Sequence, residues 1–151
     1  MKGYLDDPEA DKEVFVNGWF NTGDLARIDE DGYIFLTGRK KNVIVLKNGK
    51  NIYPEEIEAL IDKIPYVVED VVMGEEEGDD YRLVAHVVYD PEAEEIRGKS
   101  LEEIQAIADA DIEKINEEMP KYKRIRQTYL RTEPFEKTTT AKIKRRKVKT
   151  Q

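Results

Sequence analysis

The sequence predicts an α+β fold in which helices pack on a small three-stranded sheet, with a β-hairpin N-terminal to them. Two stripes of apolar residues have the spacing of amphipathic helices, and three apolar runs around them have the composition of strands. Further upstream, two strand-like runs flank the turn "DEDG". After residue 42 the predicted order is hairpin, helix, strand, strand, helix, strand and loop.

The N-terminal hairpin lies within "NTGDLARIDEDGYIFLTGR", where Leu25–Ile28 and Tyr33–Leu36 are the strand-like runs. Residues 1–40 lack the pattern of a complete domain, so we expect them to be the closing strands of a larger one. Residues 41–151 are expected to form a second, small domain. A chain of 151 residues has room for one domain and a piece of another.

The first predicted helix opens at Pro54, because proline is tolerated in the first turn of a helix. Val43–Leu46 and the polar turn "KNGK" precede it. Glu55, Glu56 and Glu58 suit the positive end of the helix dipole, and Pro65 stops the helix. Its apolar stripe repeats at i, i+3, i+4 and i+7: Ile57, Leu60, Ile61 and Ile64.

The second predicted helix begins with the capping box Ser100-x-x-Glu103 and ends before Pro120. One face of it is apolar: Ile104, Ala108, Ile112, Ile115 and Met119. The sheet is predicted in "YVVEDVVMG", "YRLVAHVVYD" and "RIRQTYLRT", and "EEEGDD" predicts a turn. The second strand is apolar over most of its length, which favours a central position. Phe135 is expected to anchor the loop that follows the third strand.

Composition excludes several classes of protein. The chain has no cysteine, so disulfides and thiolate chemistry are absent, and this fits a reducing compartment. No apolar run approaches the roughly 20 residues that a transmembrane helix needs. The first residues are polar, so we expect no secretory signal. We expect a cytoplasmic protein, which a larger parent protein could attach peripherally to a membrane.

The net charge of −8 is unevenly distributed along the chain. From Lys121 onward there are 12 Lys and Arg residues and only two acids, Glu133 and Glu136, whereas residues 1–120 hold 13 bases and 31 acids. A basic end on an acidic body suggests contact with phosphate groups, although a solvated tail has the same composition.

Within the basic end, Lys142 follows three threonines and precedes an apolar residue in "KTTTAKIKRR". Threonine hydroxyls can shape a turn, and Ile143 can anchor the loop to the body. A lysine ammonium on a long stem suits a phosphate or carboxylate oxygen. The local sequence alone leaves both readings open, an active-site lysine and a solvated one.

Asp24 and Arg39 sit at opposite ends of the predicted hairpin and are expected to lie close together. A carboxylate can grip a vicinal diol, and a guanidinium offers a forked set of donors. A surface ion pair would explain them equally well. His86 is the only histidine, and we interpret it as structural or exposed. No metal site, Walker-type loop or G-x-G-x-x-G is present in the sequence.

Three segments, "GWFNTGDLARIDEDGYIFLTGRKKNVI", "KNGKNIYPEEIEALI" and "TTTAKIKRR", follow one another in order. Together they resemble the C-terminal end of AMP-forming acyl-CoA synthetases, in the adenylate-forming enzyme superfamily. "MKGYLDDPEADKEVF" is similar to the stretch just upstream in that family. The resemblance covers nearly the whole chain and is greatest to fatty acid–CoA ligases of the long-chain type.

The resemblance implies an ATP-dependent reaction in two halves, with a mobile lid domain at residues 41–151. Lys142 would be the catalytic lysine of the first half, bridging the fatty acid carboxylate and the α-phosphate of ATP. Asp24 and Arg39 would hold the ribose hydroxyls of ATP and AMP, and Leu36 would pack near the nucleotide. Mg²⁺ is expected with ATP, bound mainly by the N-terminal adenylation domain that residues 1–40 would complete.

For the second half-reaction the family rotates this domain. Lys41 occupies the hinge position of the family, and hinge motion fits a few backbone angles after a strand. Asn48, Gly49 and Lys50 would then meet CoA, with the glycine allowing the backbone to approach its pantetheine arm. The pyrophosphate loop and the acyl pocket of the family lie outside this sequence, so we expect the isolated chain to be inactive.

Two alternatives stay open. The chain resembles, less closely, the lid of an adenylation domain that loads a carrier protein. It could also be an interaction module whose basic end binds nucleic acid, which a steep salt dependence would reveal. We expect no nucleic acid partner, because the basic end lacks the interleaved aromatic residues on which bases stack.

Overall fold

The structure is a computed structural model, and it describes residues 1–148 except for the side chain of Arg146. The chain divides into two compact units, Met1–Asn42 and the remainder from Val43 onward. This division falls two residues after the boundary expected from the sequence. The assignment of residues 1–40 to a larger domain remains a prediction.

The first unit consists of one short helix and two antiparallel strand pairs. Helix α1 spans Pro8–Val14, β1 (Phe15–Val16) pairs with β2 (Trp19–Phe20), and β3 (Asp24–Ile28) pairs with β4 (Ile34–Arg39). The predicted hairpin is therefore confirmed, with a bulge between Leu25 and Ala26. A 3₁₀ turn, Lys40–Asn42, follows β4.

Helix α1 was not expected from the sequence, although its start carries the usual signals. The Asp7 side chain accepts a hydrogen bond from the Ala10 N–H at 3.0 Å, and Pro8 occupies the first turn. The helix has only 7 residues and buries none of them. Such a short helix produces no apolar stripe for periodicity to detect.

The first unit, all of which the structure describes, contains no buried residue. Several of its large apolar side chains face solvent, among them Trp19, which is 81% exposed, and Leu36, which is 73% exposed. Phe15 and Phe20 contact each other with ring centroids 5.3 Å apart. A unit without a core cannot offset the conformational entropy of ordering its chain by apolar burial.

The second unit begins with a small hairpin and continues as an α+β domain. Its elements are β5 (Ile44–Val45), β6 (Asn51–Ile52), α2 (Pro54–Ile61), β7 (Val67–Glu77), β8 (Asp80–Tyr89), α3 (Leu101–Glu118) and β9 (Ile125–Arg131). The three-stranded sheet has the order β7-β8-β9. β8 pairs antiparallel with β7 and parallel with β9, so the strand predicted to be central is central.

Both longer helices pack on one face of this sheet, which confirms the predicted α+β fold. The main core combines residues of α2, α3 and the sheet: Ile57, Ile61, Val72, Leu83, Ala85, Val87, Ile112 and Ile125. The capping box of α3 forms with both hydrogen bonds, between Ser100 and Glu103. Asn116 ties the end of α3 to β9, since its side chain exchanges two hydrogen bonds with the backbone of Ile125, at 2.8 and 3.0 Å.

The opposite face of the sheet is covered by the chain that follows β9. Phe135 and Val148 are buried there against Val71 and Val88, and Ile143 packs beside them. Phe135 is thus an anchor, as expected. This packing fixes both ends of the segment that contains Lys142 on the body of the unit.

The turn predicted at "EEEGDD" is shorter than expected. β7 continues to Glu77 and β8 starts at Asp80, so only two residues form the turn. Acidic residues extend the strands here because a cross-strand partner compensates them: the Arg82 guanidinium lies 2.9 Å from the Glu75 carboxylate.

Candidate functional site

Lys142 lies near the tip of a tight hairpin that spans residues 136–144. Residues 137 and 143 form an antiparallel bridge, and the Lys144 N–H donates to the Glu136 carbonyl at 2.8 Å. Closer to the tip, the Thr138 N–H donates to the carbonyl of Lys142 at 2.8 Å, and the Thr138 hydroxyl accepts from the Lys142 N–H at 3.2 Å. The backbone of Lys142 is therefore held on both sides by one threonine.

The turn of this lysine hairpin (residues 136–144) passes through Ala141, whose φ of 59° is in the left-handed region. The Ala141 N–H donates to the Thr138 carbonyl at 2.9 Å. A residue with a Cβ costs about 1 kcal/mol in this conformation, so the surrounding hydrogen bonds impose it.

The neighbouring cations whose side chains the structure describes are paired with carboxylates, whereas Lys142 is exposed. Glu136 accepts from Lys147 at 2.6 Å and lies 3.8 Å from Lys144, and hydrogen bonding to Lys147 lowers the pKa of Glu136. Among the residues that the structure describes, no carboxylate pairs with the Lys142 ammonium. This ammonium is available to a ligand.

Asp24 and Arg39 are brought together in the first unit, as the sequence predicted. They are register partners in the β3–β4 hairpin, and their side chains form an ion pair at 2.8 Å. Arg39 also donates to the carbonyl of Thr22 at 3.1 Å. The two side chains are partly exposed, so oxygens of the carboxylate remain accessible to hydroxyl groups of a ligand.

Leu36 and Lys41, two other residues singled out from the sequence, belong to the same unit. Leu36 is register partner of Ala26 and projects from the sheet into solvent. Lys41 is exposed in the 3₁₀ turn that ends the first unit, directly before the division between the two units.

The predicted CoA loop, Asn48–Lys50, forms the turn between β5 and β6. The Asn48 side chain accepts from the Lys50 N–H at 3.0 Å, and the Gly49 N–H donates to the Leu46 carbonyl at 2.8 Å. Gly49 has a φ of +78°, and a Cβ built on it would meet no atom within 4 Å. The backbone conformation at position 49 therefore favours glycine, and no described atom of the second unit would crowd a Cβ there.

Two other contacts fix this loop. The Lys50 ammonium lies over the Tyr122 ring, 4.3 Å from its centroid. The Lys47 N–H donates to the Asp80 carboxylate at 3.0 Å, and this hydrogen bond lowers the pKa of Asp80. The loop is thus attached to the tip of the β7–β8 hairpin.

His86 is structural. It is buried in β8 and stacks on Tyr129 of β9, with ring centroids 4.9 Å apart, and burial lowers its pKa. Within residues 1–148 no three metal-binding side chains converge. Over the same residues, no helix is long and apolar enough to cross a membrane.

Three residues at the base of the lysine hairpin were not predicted from the sequence to contact it: Glu58, Glu69 and Arg145. Arg145 donates to Glu58 of α2, which is 87 residues away in the chain, and Glu69 of β7 accepts the N–H of Phe135 at 3.0 Å. Glu58 drew attention only as a charge near the start of α2. No local pattern links residues so distant, so only the fold reveals them.

The fold is that of the C-terminal region of adenylate-forming enzymes. The chain superimposes over its whole length on 28% of o-succinylbenzoate CoA synthetase (MenE) from Bacillus subtilis, solved with its acyl-adenylate intermediate, with a TM-score of 0.77 and 26% identity. The chain belongs to the family described as the AMP-binding enzyme C-terminal domain, which matches residues 41–151.

Its curated relatives are acyl-CoA ligases. The chain is 45% identical over 74 residues to the long-chain-fatty-acid–CoA ligase FadD13 of Mycobacterium tuberculosis, covering 49% of this chain and 14% of that protein. It is 43% identical over 74 residues to the 2-succinylbenzoate–CoA ligase of Bacillus licheniformis, covering 49% of this chain and 15% of that protein. The chain thus spans about one seventh of these relatives' length.

Proposed function

We propose that this chain is the C-terminal lid portion of an ATP-dependent fatty acid–CoA ligase. The enzyme would convert fatty acid, ATP and CoA to acyl-CoA, AMP and pyrophosphate through an acyl-adenylate. The observation that carries the proposal is the unpaired Lys142 ammonium on a hairpin whose neighbouring cations are all paired among the described side chains.

In the first half-reaction the fatty acid carboxylate attacks the α-phosphate of ATP, and pyrophosphate leaves. Negative charge develops on the oxygens of both groups. An ammonium placed between them by the lysine hairpin stabilises that charge and aligns the attack. Lys142 suits this role because, among the described residues, no carboxylate pairs with its ammonium.

The nucleotide is held by the first unit in this proposal. The Asp24 carboxylate accepts hydrogen bonds from the two ribose hydroxyls, and Arg39 orients that carboxylate through their ion pair at 2.8 Å. Leu36 packs near the nucleotide. Mg²⁺ accompanies ATP and is assigned to the N-terminal adenylation domain, which also supplies the acyl pocket.

The second half-reaction uses the turn that contains Gly49. After rotation about Lys41, this turn faces the pantetheine arm, and the CoA thiol attacks the acyl carbonyl to release AMP. The backbone conformation of the turn is pre-set by the Asn48 side chain and the positive φ of Gly49. A preformed turn loses little entropy when CoA binds.

The exposed apolar surface of the first unit supports its role as part of a larger domain. Trp19 and Leu36, among the most exposed apolar residues of the chain, belong to a unit with no buried residue in its described range 1–42. An N-terminal adenylation domain would cover this surface and supply the missing core.

The test compares the chain alone with the same chain joined to its own N-terminal adenylation domain, which supplies the acyl pocket. CoA-dependent AMP release is measured with ATP and either palmitate or 2-succinylbenzoate. We expect no release from the chain alone, and release with palmitate from the joined enzyme. AMP release by the chain alone would refute the lid assignment, and a preference for 2-succinylbenzoate would refute the fatty acid assignment.

A further inference from the structure

We propose that Glu58 and Glu69 are positioning residues that hold the lysine hairpin at both of its ends against strand β7. The inference rests on the proposed function, in which Lys142 acts in acyl-adenylate formation. Each carboxylate is mostly buried, with 13% of the Glu58 side chain and 12% of the Glu69 side chain exposed.

Glu69 holds the end at which the chain enters the hairpin. One of its oxygens accepts the Phe135 N–H at 3.0 Å, and the other lies 2.5 Å from the Lys137 ammonium. Burial alone would raise the pKa of Glu69, but the hydrogen bonds from Lys137 and Phe135 outweigh it and lower the pKa. Contact with the hairpin therefore favours the charged form of this carboxylate.

Glu58 holds the end at which the chain leaves the hairpin. Its carboxylate accepts from Arg145 at 2.5 Å and from the Val72 N–H at 2.7 Å, and Arg145 donates in turn to the Val72 carbonyl at 3.0 Å. β7 is an edge strand, so the backbone groups of Val72 that point away from β8 have no strand partner. Glu58 and Arg145 satisfy both groups.

Between the two attachment points the hairpin is closed by its own hydrogen bonds. Its base is fixed at Lys137 and Arg145, and its tip is fixed by Thr138. The ammonium of Lys142 consequently retains only the freedom of its own side chain. Without the attachments, the whole hairpin would carry the charge through a wider range of positions.

This arrangement matters most for the first half-reaction. A displacement of about 1 Å at a reacting group can lower a rate about 100-fold. Both carboxylates lie in the second unit with Lys142, so they move with it when the lid rotates. Thioester formation uses the turn at Gly49 and does not require the lysine hairpin.

The test replaces each carboxylate by its amide, as Glu58→Gln, Glu69→Gln and the double variant. In the natural chain the two oxygens of each carboxylate face separate donors. Glutamine has only one acceptor oxygen, so one donor loses its partner whichever way the amide turns. Glu56→Gln is the matched control, because Glu56 lies on the same helix and pairs with Lys123 at 2.7 Å, away from the hairpin.

The variants are assayed in the chain joined to its N-terminal adenylation domain. We expect kcat for acyl-adenylate formation to fall about 10-fold in each single variant and about 100-fold in the double variant. The KM for ATP and the rate of thioester formation from preformed acyl-adenylate should change less than about 2-fold, as in Glu56→Gln. Unchanged acyl-adenylate formation in the double variant would overturn the proposal.

The same substitutions in a Lys142→Ala background separate positioning from general destabilisation. If the carboxylates act through Lys142, replacing them should not lower acyl-adenylate formation further once the Lys142 ammonium has been removed. A further loss of similar size would overturn the proposal. If Lys142→Ala itself leaves acyl-adenylate formation intact, the proposed function fails instead.

Amide hydrogen exchange on the chain gives a readout that does not depend on activity. In the double variant the amides of Thr138 and Lys144, which close the hairpin, should exchange at least about 10-fold faster than in Glu56→Gln. Exchange of the Ala85 amide in the central strand should not change. Equal protection of the hairpin amides in both proteins would show that the carboxylates do not hold it.

Discussion

The buried carboxyl of Asp70 should make the stability of the second unit depend on pH. Asp70 is 8% exposed in β7, and within the described residues one of its oxygens has no hydrogen-bond partner. Burial raises its pKa to about 9, with further contributions from the negative charge of Glu58 and a hydrogen bond with Asp62, while Arg145 acts in the opposite direction. The native chain therefore keeps a proton that the unfolded chain releases above a pKa of about 3.9.

Because the native chain binds one proton more than the unfolded chain, the free energy of unfolding falls as the pH rises. The stability contributed by protonated Asp70 is fully present below about pH 4 and is lost as the pH rises toward about 9. One proton corresponds to about 1.36 kcal/mol per pH unit, so Asp70 removes up to about 2.7 kcal/mol between pH 6 and pH 8. Asparagine has the shape of the protonated acid and does not titrate.

We therefore expect Asp70→Asn to gain about 2 kcal/mol relative to the natural chain when the pH is raised from 6 to 8. The free energy of unfolding is measured in urea by circular dichroism. The single tryptophan, Trp19, is not a suitable probe, because it lies exposed in the other unit. If the difference in free energy of unfolding between the two proteins is the same at both pH values, Asp70 is ionised in the native chain and does not cause the pH dependence.

Three other substitutions test the site. Ala141→Gly should relieve the left-handed backbone at the hairpin turn and stabilise the second unit by up to about 1 kcal/mol in urea unfolding, and destabilisation would contradict the strain. Gly49→Ala should destabilise the second unit by about 1 kcal/mol, because alanine is strained at a positive φ. In a half-reaction assay it should slow thioester formation more than acyl-adenylate formation. Equal slowing of both would show that the loop has no specific role in the reaction with CoA. Asp24→Asn should raise the KM for ATP at least about 10-fold. The melting temperature should change little, because the partly exposed ion pair with Arg39 contributes at most about 1 kcal/mol. An unchanged KM would exclude Asp24 from nucleotide binding.

Much of the second unit was predictable because its signals are local. Pro54 and the apolar stripe after it define α2, the capping box defines the start of α3, and the apolar run at Leu83–Tyr89 defines the central strand. Each of these depends on residues within one or two helical turns or along one strand. Local propensity and the final fold agree in these elements.

The features that escaped prediction depend on distant contacts or on very short elements. Glu75–Glu77 belong to β7 because the facing strand supplies Arg82, which their own composition does not indicate. The contact of Glu58 with Arg145 joins residues 87 positions apart. The positive φ of Gly49 was not predicted from the sequence, and the approach of its backbone to CoA stays a prediction.

The role of Lys142 in acyl-adenylate formation can be measured separately from any role in thioester formation. Lys142→Ala is introduced into the chain joined to its N-terminal adenylation domain, and the two half-reactions are followed separately. We predict that acyl-adenylate formation from ATP and fatty acid falls about 100- to 1,000-fold, as when one donor to a developing charge is removed. Thioester formation from preformed acyl-adenylate and CoA should be retained. Survival of both half-reactions would show that the lysine hairpin is only a solvated basic loop.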